Sequence, residues 1–345
     1  MALIYGTANL AEGTVADAAL VRALQLDLRG LGYLAGGIDG QFGPHTTQAV
    51  RRLQFDLLHN TGQSTHNDGS APVAITTFNQ GDVVVNGRAD EPTAASIDAM
   101  LNAATMPRIP SAADPAAANK AALQSLAVLA GSTAPLPFML AIFKQESQCD
   151  HYEVPLAGET DGFVVLGLDT AQGQPDQIAS RGYGIGQVTL FHHPPQPNEV
   201  AGIVSDPVAN TTASLKLLRR KFDTEIISND PNARAHDRYA EHPLLDLRLC
   251  KYRPGDPKYL TDCAACAAPL PKLDITPDTP CYPGANFNYG PASAYANPSY
   301  SGVPDRSAFP CDWPYAVRRY NGSGSNSYNY QAIVLRNLLT PPATG

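Results

Sequence analysis

Charge is scarce in this chain, and positive charge scarcer still. Only 16% of the 345 residues are Asp, Glu, Lys or Arg, and 24 basic against 32 acidic side chains leave a formal net charge of −8. Nucleic-acid and anionic-membrane binders need a basic face, so the balance argues against both. Long apolar runs are missing as well: no stretch approaches the ~18–20 residues of a membrane span. Met1 to Leu10 lacks the charged n-region and long apolar h-region of a signal peptide, so synthesis in the cytoplasm without an export signal is expected. Cysteine is absent until Cys149, and the other five lie between Cys250 and Cys311. With 43% hydrophobic residues, the chain is neither a charge-rich disordered polymer nor a coiled coil.

What is present reads as a mainly α protein of two modules, the number that a prior of ~100–200 residues per domain suggests. The Pro/Ala stretch Asn102 to Asn119 reads as the division, with 105–119 as linker. Before it, helical stripes run through Val21, Leu24, Leu28 and Leu31, then Val50, Leu53 and Leu57, then Ile97, Met100 and Leu101. Between the last two, Val73-Ala74-Ile75 and Val83-Val84-Val85 flank Asn79-Gln80-Gly81, a pattern that predicts a β-hairpin insert at about 71–88. Beyond the linker, Lys120 to Ala130 is a good helix former, Pro137 opens another helix, Leu215, Leu218 and Phe222 share a face, and Tyr330, Ile333, Val334 and Leu338 mark a last helix. From about 228 to 312 the periodicity fails, and Pro, Gly, Tyr and Cys dominate a loop-rich insert.

The first module contains a half-repeat. Ile38-Asp39-Gly40 leads to Pro44-His45-Thr46 before the second helix, and Val85-Asn86-Gly87 leads to Pro92-Thr93 before the third. Each Asx-Gly pair makes a tight turn, and each Thr can cap a helix start. With Leu24-Gln25, Leu31-Gly32-Tyr33 and Val50-Arg51-Arg52-Leu53-Gln54, residues 14–104 resemble the three-helix peptidoglycan-binding domain. The resemblance implies the peptidoglycan polymer as partner and Tyr33, Asp39, Phe42 and Thr46 as residues of the binding module.

In the second module Glu146 lies three and four residues beyond Ile142 and Phe143, on the apolar stripe of its helix. Burial and the negative end of the helix dipole both raise a carboxyl pKa, which suits a general acid; the same position also suits a buried Glu paired to a cation. Arg181-Gly182-Tyr183-Gly184-Ile185-Gly186-Gln187 allows close backbone approach to a ligand, and Tyr320-Asn321-Gly322 is a turn between two helices. In order, Glu146-Ser147, Gly184-Ile185-Gly186-Gln187, Asp206-Pro207 and Tyr320-Asn321-Gly322 resemble the lysozyme-like soluble lytic transglycosylase family, also close to goose-type lysozyme, over 120–345. That family's domain is mostly helical with a sugar groove between two lobes. The resemblance makes Glu146 the catalytic acid/base. Ser147, Tyr183, Gly184, Ile185, Gly186 and Gln187 would support or line the groove, and Tyr320 and Asn321 would hold the N-acetyl group or orient Glu146.

The implied activity is cleavage of the MurNAc–GlcNAc β-1,4 bond, making the protein a bacteriolytic enzyme. A lytic transglycosylase needs one carboxylate, whereas a hydrolytic muramidase or chitinase-like glycosidase commonly adds a second. The stretch between Glu146 and Gly184 supplies Glu159, Asp161, Asp169 and Asp176 as candidates, each also readable as a solvated loop acid. A non-catalytic wall-binding protein is the rival outside enzymology.

Cys250, Cys263, Cys266 and Cys281 have the form C-x12-C-x2-C-x14-C, open to disulfides in a loop-rich insert or to a zinc site. Cys149 and Cys311 flank the catalytic motifs and can form a bridge, while Cys149 with His151 is the weaker reading of a nucleophile. His192-His193 reads as polar loop before a metal site. No cofactor is expected beyond the zinc alternative. The expected setting is a monomer acting on the wall, as a phage endolysin or a secreted antibacterial effector, with an inhibitor (immunity) protein or a secretion or phage component as further partners.

Overall fold

Apolar residues spaced three and four apart generate most of the regular structure. The computed structural model describes residues 3–14, 17–66, 68–130, 134–155, 162–226, 313–322 and 326–340. The protein is mainly helical. Its chain forms two compact units, Met1–Asn119 with Asp150–Asn210, and Lys120–Cys149 with Thr211–Gly345. Among the described residues, no helix is long and apolar enough to cross a membrane.

The first unit begins with α1 (Ala18–Gly30), α2 (Pro44–His59) and α3 (Glu91–Asn102). Asp17 caps α1 by accepting from the Ala19 N–H, Pro44 opens α2, and Asp90 caps α3 by accepting from the Thr93 N–H. The predicted stripes are the core: Val21, Leu24, Leu28, Val50, Leu53, Leu57, Ile97 and Met100 are all buried. Burying side chains of this size stabilises the fold by roughly 1.5–3 kcal/mol each, before the entropy cost.

The half-repeat is realised atom by atom. Gln25 Nε2 donates to Asp39 Oδ1, the Gln41 carbonyl and Thr46 Oγ1, while its Oε1 accepts from the Gly40 N–H. Gln54 repeats the pattern, donating to Asn86 Oδ1, the Arg88 carbonyl and Thr93 Oγ1 and accepting from the Gly87 N–H. Each buried glutamine thus ties the preceding helix to an Asx-Gly turn and to the first turn of the following helix. A buried amide is tolerated only when so satisfied.

Two expectations about this region are corrected. Residues 71–88 form no hairpin: Ile75–Phe78 is a single 3-10 turn, with Ile75 buried against α2 and Val84 exposed. Asn79 does make its local turn, accepting from the Gly81 N–H, but the flanking valines have no strand partner. The stretch expected as linker, 105–119, is packed rather than free. Met106 and Ile109 are buried, Ser111–Ala112 (β1) pairs antiparallel with Gly162–Phe163 (β2), and Pro115 opens helix α4 (Pro115–Ala130). Two large apolar residues among Ala and Pro were enough to anchor it.

An antiparallel sheet completes the unit: β3 (Leu166–Ala171), β4 (Gln174–Tyr183) and β5 (Val188–Leu190), in that spatial order. Ile178 joins the helical core, and Asp176 accepts from both Arg51 and Gln48 of α2. Tyr152, Val164, Leu166, Tyr183, Leu190 and Val204 make a second small core beside Ile109.

The second unit is built from α5 (Leu136–Ser147), α6 (Pro207–Lys221, entering from the first unit), α7 (Trp313–Tyr320) and α8 (Asn326–Asn337). Phe138, Met139, Ile142 and Phe143 of α5 are fully buried, as are Leu218, Phe222, Val317, Val334 and Leu335. The Phe222 and Trp313 rings stack at 3.9 Å. Gln331 Nε2 donates to the Pro314 carbonyl and Arg318 Nε to Ser327 Oγ, fixing α7 against α8. The insert expected at 228–312 lies outside the described residues.

Candidate functional site

Glu146 stands in the last turn of α5, which Gln148 ends in the left-handed conformation with φ 59°. Its neighbours on the stripe, Met139, Ile142 and Phe143, are sealed in the core, so the carboxyl sits at the core's edge, only partly exposed. Burial pushes its pKa up to about 7, opposed by one hydrogen bond. That bond comes from Tyr330 of α8, whose hydroxyl donates to Glu146 Oε1 at 2.5 Å. Burial and the adjacent carboxylate hold the Tyr330 phenol well above its ordinary range, so it remains a donor at any working pH.

Tyr320, the last residue of α7, lies in the field of Glu146, and its hydroxyl also meets Ser214. Its pKa too is raised, by burial first and Glu146 second. Asn321 follows it and is exposed, and Gly322 turns the chain at φ 112°. Ser147 is buried and donates to the Phe143 carbonyl one turn back. One carboxyl with a pKa near neutrality, held by a neutral phenol, can both give and take a proton. This is the chemical requirement of an acid/base group. In the sequence Tyr330 marks only the apolar face of the last helix; the packing of α8 on α5 is what brings its hydroxyl to Glu146.

The Gly-rich segment belongs to the first unit and is largely interior there: Tyr183, Gly184, Ile185 and Gly186 are buried. Its glycines answer to internal packing. A Cβ on Gly184 would lie 2.3 Å from His151 Nδ1, at a φ of +66°, and one on Gly182 would lie 2.6 Å from Gln187 Oε1. Gln187 folds back, its Nε2 donating to the Gly184 carbonyl. His151 donates from Nε2 to the Val204 carbonyl and accepts at Nδ1 from the Ile185 N–H. Burial pulls its pKa down to about 4, so it is a neutral structural imidazole. The Asn210 amide bonds the Tyr183 carbonyl and the Gly186 N–H, completing the turn.

Of the second-carboxylate candidates, Asp169 accepts from Ser180 Oγ and Asp176 is held by Arg51, which keeps its pKa below the usual carboxylate range. Glu159 and Asp161 lie outside the described residues, as do Cys250, Cys263, Cys266, Cys281 and Cys311; Cys149 is buried. His192 pairs with Glu199 at 2.8 Å, and His193 is buried edge-on to Tyr33.

The four residues singled out in the N-terminal module build it from within. Tyr33 is buried and donates to Asp56, Thr46 and Asp39 serve the Gln25 network, and Phe42 is 9% exposed. Residues 17–57 match the family model described as "Putative peptidoglycan binding domain". The match supports an N-terminal peptidoglycan-binding domain and, with it, peptidoglycan as a partner. No curated protein and no solved structure matches the chain significantly.

Proposed function

We propose that the protein degrades peptidoglycan, cleaving the β-1,4 bond between N-acetylmuramic acid and N-acetylglucosamine with Glu146 as sole acid/base. The observation that carries the reading is the Glu146 carboxyl, raised to about 7 and held by the Tyr330 hydroxyl. Glu146 protonates the glycosidic oxygen as the C1–O bond breaks. The resulting carboxylate then removes the proton from the muramoyl C6 hydroxyl, whose oxygen closes on C1 to give a 1,6-anhydro ring. The proton is returned to Glu146 and no water is consumed.

A single-carboxylate mechanism draws on the groups described around Glu146: burial and the Tyr330 phenol set its proton affinity, while Asp169 and Asp176 are engaged inside the first unit. Tyr320 and Asn321 are assigned the sugar contacts beside Glu146, and the peptidoglycan-binding domain raises the local concentration of enzyme on an insoluble polymer. The wall is thus the site of action. Mass spectrometry of sacculus digests tests the outcome: products ending in anhydromuramic acid are expected, and reducing muramic ends would transfer the reading to a hydrolase.

A further inference from the structure

A cleft of about 440 Å3 opens in the first unit and falls within the size range of small-molecule sites. Its walls come from the end of α2, residues 60–65 and the β4–β5 region. The 60–66 segment is bolted down rather than draped over the sheet. Thr65 donates from its N–H to the Phe191 carbonyl at 2.7 Å and from its hydroxyl to the Ala179 carbonyl at 2.8 Å. Asn60 Nδ2 donates to the His193 carbonyl at 2.7 Å, and the His66 and Phe191 rings stack at 3.7 Å. The cleft is therefore preformed, which lowers the ordering cost of binding.

Its surface has a distinct chemistry. Phe55 and His59, one helical turn apart, set two rings 4.5 Å from each other on one wall, and both reach the surface. Gln63 and Gln177 present primary amides, and Thr61 adds a hydroxyl. Among the described residues lining it there is no Lys or Arg; Arg181 is fully buried and does not line the cleft. Ring faces suit the C–H face of a pyranose, and amides suit hydroxyl and acetamido groups as both donor and acceptor. A peptide stem, rich in carboxylates, would call for a guanidinium or ammonium group, which this lining does not supply.

The geometry points to this cleft as a saccharide-binding site that takes uncharged N-acetylated pyranose units of a glycan strand. It rests on the reading that the chain works on peptidoglycan, but its lining belongs to the first unit, whereas Glu146 belongs to the second, and most of that lining lies outside residues 17–57.

The test uses the full chain as Glu146→Gln, so that the ligand survives, with chitotetraose as probe and amide NMR shifts of residues 59–65 and 177–179 as a local readout. A single saturable curve is expected at these residues. Phe55→Ala should weaken it at least tenfold, Gln177→Ala several-fold, and Phe55→Tyr, which keeps the ring, less than about twofold. If Phe55→Ala does not fold, Gln177→Ala and Phe55→Tyr carry the same comparison. Absence of shifts at these residues, undiminished binding in Gln177→Ala, or response to a synthetic stem pentapeptide in place of the sugar would overturn the inference. Digestion of sacculi by the chain with Glu146 intact reports separately on the catalytic reading, so the two can fail independently.

Discussion

Replacing Tyr330 with Phe removes one oxygen and leaves the ring, so α8 should still dock on α5. What is lost is the 2.5 Å bond to Glu146 Oε1, which among the described residues is the interaction that draws the Glu146 pKa down against the burial that raises it. A hydrogen bond to a charged group contributes about 1.5–3 kcal/mol. Since one pKa unit corresponds to about 1.4 kcal/mol, Glu146 should rise a further ~1–2 units from its value of about 7. A general acid works only while protonated, so the alkaline limb of the pH–activity profile, expected near pH 7, should move upward by that amount. The assay is turbidity loss of purified sacculi from pH 5 to 10, with 13C NMR of the labelled Glu146 carboxyl as a readout independent of turnover. An unmoved or downward-shifted carboxyl titration in Tyr330→Phe would refute the reasoning.

Stability should carry the same signature. The Glu146 pKa is raised in the folded state, so its contribution is fully present below pH ~4.5 and is lost as pH rises through about 7. Urea unfolding should show that Glu146→Gln gains up to ~3 kcal/mol relative to the parent between pH 5 and 8; a pH-independent difference would contradict the burial. Asp56, buried beneath Tyr33 with a pKa raised to about 6, should act in the same direction, and Asp56→Asn should flatten the loss of stability between pH ~4 and 6. Arg51→Ala should destabilise by ~1–2 kcal/mol at pH 7, because the side chain of Asp176 is only 6% exposed and loses its cation. That penalty should shrink as pH falls below the ordinary carboxylate range toward the depressed Asp176 pKa, a trend that denaturant titration in steps of descending pH would reveal. Gly184→Ala should cost roughly 1–3 kcal/mol through strain and overpacking against His151, read as a lowered Tm.

Much of this arrangement was legible in local sequence. The stripes of α1, α2, α3 and α5 became core, and the position of Glu146 on its stripe foretold a carboxyl at the edge of burial. The Asx-Gly repeat could be read because each copy is short and ends on a Thr; the buried glutamines behind it, Gln25 and Gln54, were visible only as part of a motif. The β3–β5 sheet was not read. β3 and β4 carry Gly, Gln, Asp and Pro among few β-branched residues, so their composition hides a hairpin that closes through the short turn between Ala171 and Gln174. The 71–88 valines erred in the opposite direction, carrying strand composition without a strand to meet. Glycines at 182 and 184 read in sequence as room for a ligand, whereas the space beside them is filled by Gln187 and His151. The cleft escaped notice because its walls, at 55–65 and 177–193, meet only in three dimensions.

The central claim is that Glu146 cuts the glycan. The most direct measurement is the release of soluble muropeptides from purified sacculi by the full chain and by Glu146→Gln, at equal amounts of sacculus-bound protein. The account predicts release by the parent chain, none above background by Glu146→Gln, and equal binding of the two. Muropeptide release by Glu146→Gln at a rate near the parent's would contradict it.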